Sequence, residues 1–101
     1  MKLFVCTTCT KNSQSFLEEV QAALPKLNVE GIDCMSGCTR AQTVAFRSGG
    51  KVAYLFGDVT KADIPLLETF SALYDASPDG TFQDARVLGD LRHKAIARIP
   101  A

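Results

Sequence analysis

Residues 2–9 read Lys2-Leu3-Phe4-Val5-Cys6-Thr7-Thr8-Cys9, and residues 29–38 read Val29-Glu30-Gly31-Ile32-Asp33-Cys34-Met35-Ser36-Gly37-Cys38. In both stretches a short strand-like run ends on a pair of cysteines. Lys2 to Val5 is predicted as one strand and Val29 to Asp33 as a second. Between them lies a polar stretch, Thr7 to Gln14, and then a helix. Ser15 with Glu18 three residues on has the form of a capping box, which places the helix start there. Phe16, Leu17, Val20, Ala23 and Leu24 recur at helical spacing and form one apolar face. Pro25 ends the helix, because it disfavours helical geometry at the residue before it. Two strands joined through a helix form a right-handed crossover and run parallel. Both cysteine pairs are therefore expected at the same edge of one sheet.

Outward from these two stretches, Cys34 to Gln42 reads as a loop. Thr43 to Arg47 and Lys51 to Phe56 read as a hairpin around Ser48-Gly49-Gly50. Gly57-Asp58 breaks the pattern. A second helix is predicted from about Asp63 to Tyr74, with Ile64, Leu67, Phe70, Leu73 and Tyr74 inward and Pro65 tolerated in the first turn. Ser77-Pro78-Asp79-Gly80 is a turn. A short helix is expected over Leu88 to Ala97. The order β-α-β-β-β-α gives an α/β fold of thioredoxin-like arrangement: a mixed four-stranded sheet with flanking helices.

The chain has 101 residues and is read as a single domain, 1–101, because this length supports one core. Hydrophobic residues are 47% and charged residues 22%, in the range of soluble globular domains. Eleven basic and 11 acidic residues cancel to a formal charge of zero, so no basic excess exists to displace phosphate counterions. Nucleic acid is therefore not an expected partner. No apolar run approaches the ~20 residues that span a bilayer, and the N-terminus lacks the features of a secretory signal. A cytoplasmic protein with no membrane partner is expected. In that compartment thiols are kept reduced, which disfavours structural disulfides.

Cys6, Cys9, Cys34 and Cys38 thus follow the pattern Cys-x2-Cys, a gap of 24 residues, and Cys-x3-Cys. Two pairs converging from two loops are what a four-thiolate metal site requires. Gly37, just before Cys38, lets backbone amides come close to a cluster sulfide. Lys11 and Arg40, each two residues beyond a pair, either offset the charge of such a centre or are solvated. Three further readings stand beside a [2Fe–2S] cluster. The cysteines are small buried hydrophobes, or they hold a structural Zn2+, whose all-cysteine sites use similar spacings. Alternatively Cys6 and Cys9 are a thioredoxin-type redox pair. Against the last, several polar residues separate Cys9 from the expected helix start, and none of Pro25, Pro65, Pro78 and Pro100 lies before the third strand to face the dithiol.

The order strand–Cys–helix–strand–Cys-x3-Cys–hairpin–helix resembles the thioredoxin-like [2Fe–2S] ferredoxins. These include the small cluster-bearing subunit of the respiratory NADH dehydrogenase. Cys34-Met35-Ser36-Gly37-Cys38 is similar to that family's Cys-Leu-Gly-x-Cys, and the strand Thr43-Val44-Ala45-Phe46 with Gly49-Gly50 follows as it does there. Nearly the whole chain resembles, more closely, a family of small bacterial proteins described only as predicted metal-binding. The residues that carry this likeness are Val5-Cys6-Thr7-Thr8-Cys9, Tyr54-Leu55-Phe56-Gly57-Asp58 and Ala97-Arg98-Ile99-Pro100. The resemblance implies a non-enzymatic electron carrier with its cluster on the four cysteines, a redox partner protein and a homodimer. The first pair departs from the pattern, since ferredoxins of this fold separate their first two cysteines more widely.

His93, the single histidine, is expected to be exposed in a tail with Arg86, Arg92, Lys94 and Arg98. That tail reads as solvated surface, with docking of an acidic redox partner as the sharper alternative. Tyr54, Tyr74 and the phenylalanines fit core positions. Asp58, Asp63 and Asp79 sit at caps and turns. No Ser-His-Asp set, paired carboxylates or phosphate-binding glycine loop is present.

Overall fold

A computed structural model describes residues 1–8, 10–33, 40–82 and 84–100. Strand β1 spans Lys2–Cys6, helix α1 Ser13–Ala23, β2 Asn28–Ile32, β3 Val44–Arg47, β4 Ala53–Phe56, helix α2 Ile64–Ala76 and β5 Ala95–Ile99. Two 3₁₀ segments, Lys61–Asp63 and Ala85–His93, flank α2. The sheet order is β2-β1-β3-β4-β5. β1 and β2 are parallel, as the crossover requires, with Cys6 opposite Ile32. The other pairs are antiparallel.

Alternation along the strands sends Leu3, Val5, Val44, Phe46, Tyr54 and Phe56 to one face, where they are buried. Leu17 and Val20 of α1 and Ile64, Leu67, Phe70 and Tyr74 of α2 cover that face and complete the core. Its centre is aromatic. The Phe70 ring lies 4.6 Å from Phe46, 5.1 Å from Phe56 and 5.2 Å from Tyr54, the last two edge-on. Such offset and edge-on contacts are the preferred aromatic geometries. The opposite face carries Phe4, Ala45 and Leu55, each half-buried.

Three expectations need correction. Helix α1 begins at Ser13, two residues before the expected capping box. Asn12 is its N-cap residue, and Ser15 is exposed. Ser13 is buried in the first turn, where its hydroxyl accepts from the Thr10 amide at 2.9 Å. Ala23, expected on the apolar face, is exposed at the last turn. The largest correction concerns the tail. The helix expected over Leu88 to Ala97 is instead a 3₁₀ segment followed by a fifth strand, so the sheet has five strands rather than four. Leu88 and Leu91 are buried against the core, which accounts for their helical spacing. Gly89, at φ 60°, interrupts the helix between them. The free edge of β4 then pairs with Ala95–Ile99, which satisfies backbone groups that a helix there would leave open.

The hairpin forms as expected, with β4 starting two residues later than predicted. Lys51 closes the turn on the Ser48 carbonyl at 3.1 Å, with Gly50 at φ 77°. Val52 is drawn away to the Asp79 carbonyl, which ties the hairpin to the turn after α2. The Ala41–Gln42 peptide bond is cis.

Candidate metal-thiolate site

Because β1 and β2 run parallel in register, the chain leaves both at the same end of the sheet. Cys6 is the last residue of β1, and Ile32 opposite it is the last of β2. Past the ladder the two exits stay joined. The Thr7 amide and hydroxyl both donate to the Ile32 carbonyl, at 2.9 and 3.2 Å. Cys34 follows Ile32 by two residues in the sequence. β3 begins and β4 ends at this same edge, so Thr43 and Gly57 adjoin it.

Cys6 is completely buried. Its sulfur lies 3.6 Å from Thr8 Oγ1, and its amide donates to the Thr43 carbonyl at 3.2 Å. Toward a thiolate, Thr8 can only be the donor. A hydroxyl aimed at a thiolate sulfur is the kind of outer partner that orients a metal-bound cysteine. Cys9, Cys34 and Cys38 lie outside the described residues, as does Gly37. Among the described residues no three His, Cys, Asp or Glu side chains gather around one point.

The segment that re-enters after the second pair is held firmly. The Arg40 carbonyl accepts from the Asp58 amide at 2.7 Å, and the Gln42 carbonyl from Val59 at 3.1 Å. The Arg40 guanidinium donates to Asp58 Oδ2 at 2.8 Å and to the His93 carbonyl at 3.1 Å. Arg40 is therefore not a purely solvated charge. Gly57 makes this approach possible. A Cβ there would meet the Arg40 carbonyl oxygen and Cβ, each at 2.7 Å, and the Ile96 side chain at 2.6 Å. Lys11 is exposed.

Sequence reasoning singled out the cysteines and missed the polar side chains that hold their loops. Gln42 is buried, and its amide nitrogen donates to the carbonyls of Cys6 at 2.6 Å and Thr43 at 3.1 Å. Its Oε1 accepts from the Ser13 hydroxyl at 2.6 Å. The available signal was a polar residue on the core side of a loop-to-strand junction. Nothing in its spacing marks its partners, which are 29 and 36 residues away.

The family described as a protein of unknown function (DUF1636) matches residues 3–101. The chain belongs to the DUF1636 family. The match spans both cysteine pairs and all the described strands and helices apart from Lys2, the first residue of β1. The family's description assigns no activity, cofactor or partner. No curated protein and no solved structure matches the chain.

The remaining charged groups are mostly engaged within the fold. Arg86 grips Asp84 with two nitrogens, its Nη2 at 2.7 Å from Oδ2. Lys94 Nζ bridges the Asp63 carboxylate at 2.5 Å and the Asp58 carbonyl at 2.9 Å. Asp63 also accepts from the Thr60 amide and hydroxyl, at 2.8 and 3.0 Å. Burial pushes the Asp63 carboxyl up, but Lys94 and Thr60 together outweigh it and hold the group below its ordinary value. His93 is exposed, as expected. Among the described residues no helix is long and apolar enough to cross a membrane.

Proposed function

We propose that the chain is a small electron-transfer protein of thioredoxin-like fold that holds one [2Fe–2S] cluster on Cys6, Cys9, Cys34 and Cys38. The observation that carries this reading is the in-register parallel pairing of β1 and β2. It brings the exit of Cys6 and the chain two residues short of Cys34 to one edge. The strand order β2-β1-β3-β4, with a parallel pair followed by an antiparallel hairpin and a helix, supports the fold assignment. β5 is an addition to that arrangement.

The donor set suits such a centre. Four thiolates from two pairs satisfy either a two-iron cluster or one tetrahedral zinc ion. When bound, the cluster would take up and return one electron. The chain would supply the ligands, shield Cys6 from water and direct the Thr8 hydroxyl at its sulfur. A redox partner protein would deliver and remove the electron, in a cytoplasmic setting that keeps the thiols reduced. The complete burial of Cys6 favours a ligand over an attacking thiol, which must be accessible to its substrate. Zinc is the second reading, favoured by the short first pair, since Cys-x2-Cys lies within the usual zinc spacing.

Single Cys→Ser replacements test the ligand set. Each of Cys6→Ser, Cys9→Ser, Cys34→Ser and Cys38→Ser is expected to weaken or abolish the visible chromophore of anaerobically prepared protein. Four variants with wild-type spectra would sink the proposal.

A further inference from the structure

Gln42 reaches the first cysteine loop at Cys6 directly and at Thr10 through Ser13. Its amide nitrogen holds the Cys6 carbonyl directly, at 2.6 Å. Its Oε1 takes the Ser13 hydroxyl at 2.6 Å, and the Ser13 oxygen in turn accepts from the Thr10 amide at 2.9 Å. Cys9 is one residue before Thr10, so the Cys-x2-Cys pair lies between the two anchored points. Gln42 itself is set by the Val59 amide on its carbonyl, and it is four residues past Cys38 in the sequence. One buried amide therefore ties the first cysteine loop, the start of α1 and the segment returning from the second loop into a single unit.

We propose that Gln42 is a positioning residue of the metal-thiolate site, fixing the Cys6 carbonyl and, through Ser13, the Thr10 amide relative to one another. The inference rests on the metal-thiolate reading above. Gln42 makes no bond to metal. It acts through the Cys6 carbonyl and, by way of Ser13, the Thr10 amide. Outer partners of this kind contribute about 10- to 100-fold to metal affinity.

Co2+ titration of the reduced full-length protein tests this, because thiolate-to-cobalt charge transfer reports sulfur ligation directly. Gln42→Glu keeps the length and the acceptor for Ser13 but loses both donors, and it sets a carboxylate against two carbonyls. Ser13→Ala cuts only the Thr10 arm. Ser71→Ala is the control, since it removes a buried hydroxyl on α2, bonded to the Glu68 carbonyl at 2.6 Å, remote in sequence from both cysteine pairs. Wild type is expected to show the charge-transfer bands. Gln42→Glu should bind Co2+ about 10- to 100-fold more weakly, Ser13→Ala less so, and Ser71→Ala as wild type. Should Gln42→Glu fail to fold by circular dichroism, Ser13→Ala and the milder Gln42→Asn carry the comparison. Variants that titrate like wild type would refute the role of Gln42 and leave the metal reading standing. An equal loss in Ser71→Ala would reduce the effect to general stability and overturn the role. Wild type without thiolate bands would overturn the metal reading itself, and the role with it.

Discussion

Tyr54 is buried at the centre of the aromatic core, and its hydroxyl donates to the Gly80 carbonyl at 2.5 Å. Burial pushes this phenol up, with the nearby Arg98 charge working the other way. Tyr74, bonded to the Val52 carbonyl at 2.7 Å, is also pushed up, chiefly by burial. Raised folded-state values mean that the native chain keeps these protons longer than the unfolded chain does. Their contribution to stability is therefore complete below about pH 10 and declines as pH rises above it. Urea melts across this range should show the decline, and Tyr54→Phe should make it shallower. At neutral pH Tyr54→Phe should cost about 1 kcal/mol, the usual worth of one hydrogen bond. An unchanged melt would contradict the account. Single residues of this kind were partly legible in advance: both tyrosines read as core from their spacing, but their carbonyl partners lie in distant turns. Ser13 was the reverse case. It read as part of a polar stretch before the helix, because a serine that serves a buried network looks the same in sequence as one facing water.

Among the elements, β5 and its anchors carry the clearest lesson. Leu88 and Leu91 have helical spacing and do face the core, yet the chain after them is a strand. Sequence periodicity reports which residues are buried. It does not report that β4 has a free edge able to recruit the tail. The junction before β5 is held by Lys94, which reaches Asp63 from 31 residues away. Asp63, whose carboxyl is held below its ordinary value, contributes stability that is present above about pH 4 and is lost as pH falls through its folded-state value. Asp63→Asn should flatten the acid limb of the stability curve, and Lys94→Met should cost about 2 kcal/mol at pH 7. Equal acid sensitivity in wild type and Asp63→Asn would argue against this pair as the anchor. Gly57→Ala bears on the cysteine loop as well, because the new methyl would press on Arg40 and Ile96. It should destabilise by about 1–3 kcal/mol, as overpacking does, and should lower Co2+ affinity in the same preparation. A variant with wild-type melts and affinity would show that Arg40 can move aside.

Across the whole molecule, the β1–β2 ladder brings Cys6 and the chain two residues short of Cys34 to one end of the sheet. The cysteine spacing and the β-α-β order were legible in the sequence, because strand ends, a Pro stop and paired thiols all leave local marks. The Gln42 network was not, since it is formed by contacts between residues 29 and 36 apart. The 101 residues build a small core, so a metal ion bridging two loops should add measurable stability. Chelation or acid removal of the metal should then lower the melting temperature, and a melt indifferent to chelator would count against the site. The most direct test of the central claim is anaerobic purification followed by an absorption spectrum and assays for iron, zinc and acid-labile sulfide. The account predicts a reddish-brown protein with iron and sulfide in equal amounts, whereas a colourless protein with one zinc ion and no sulfide would contradict it.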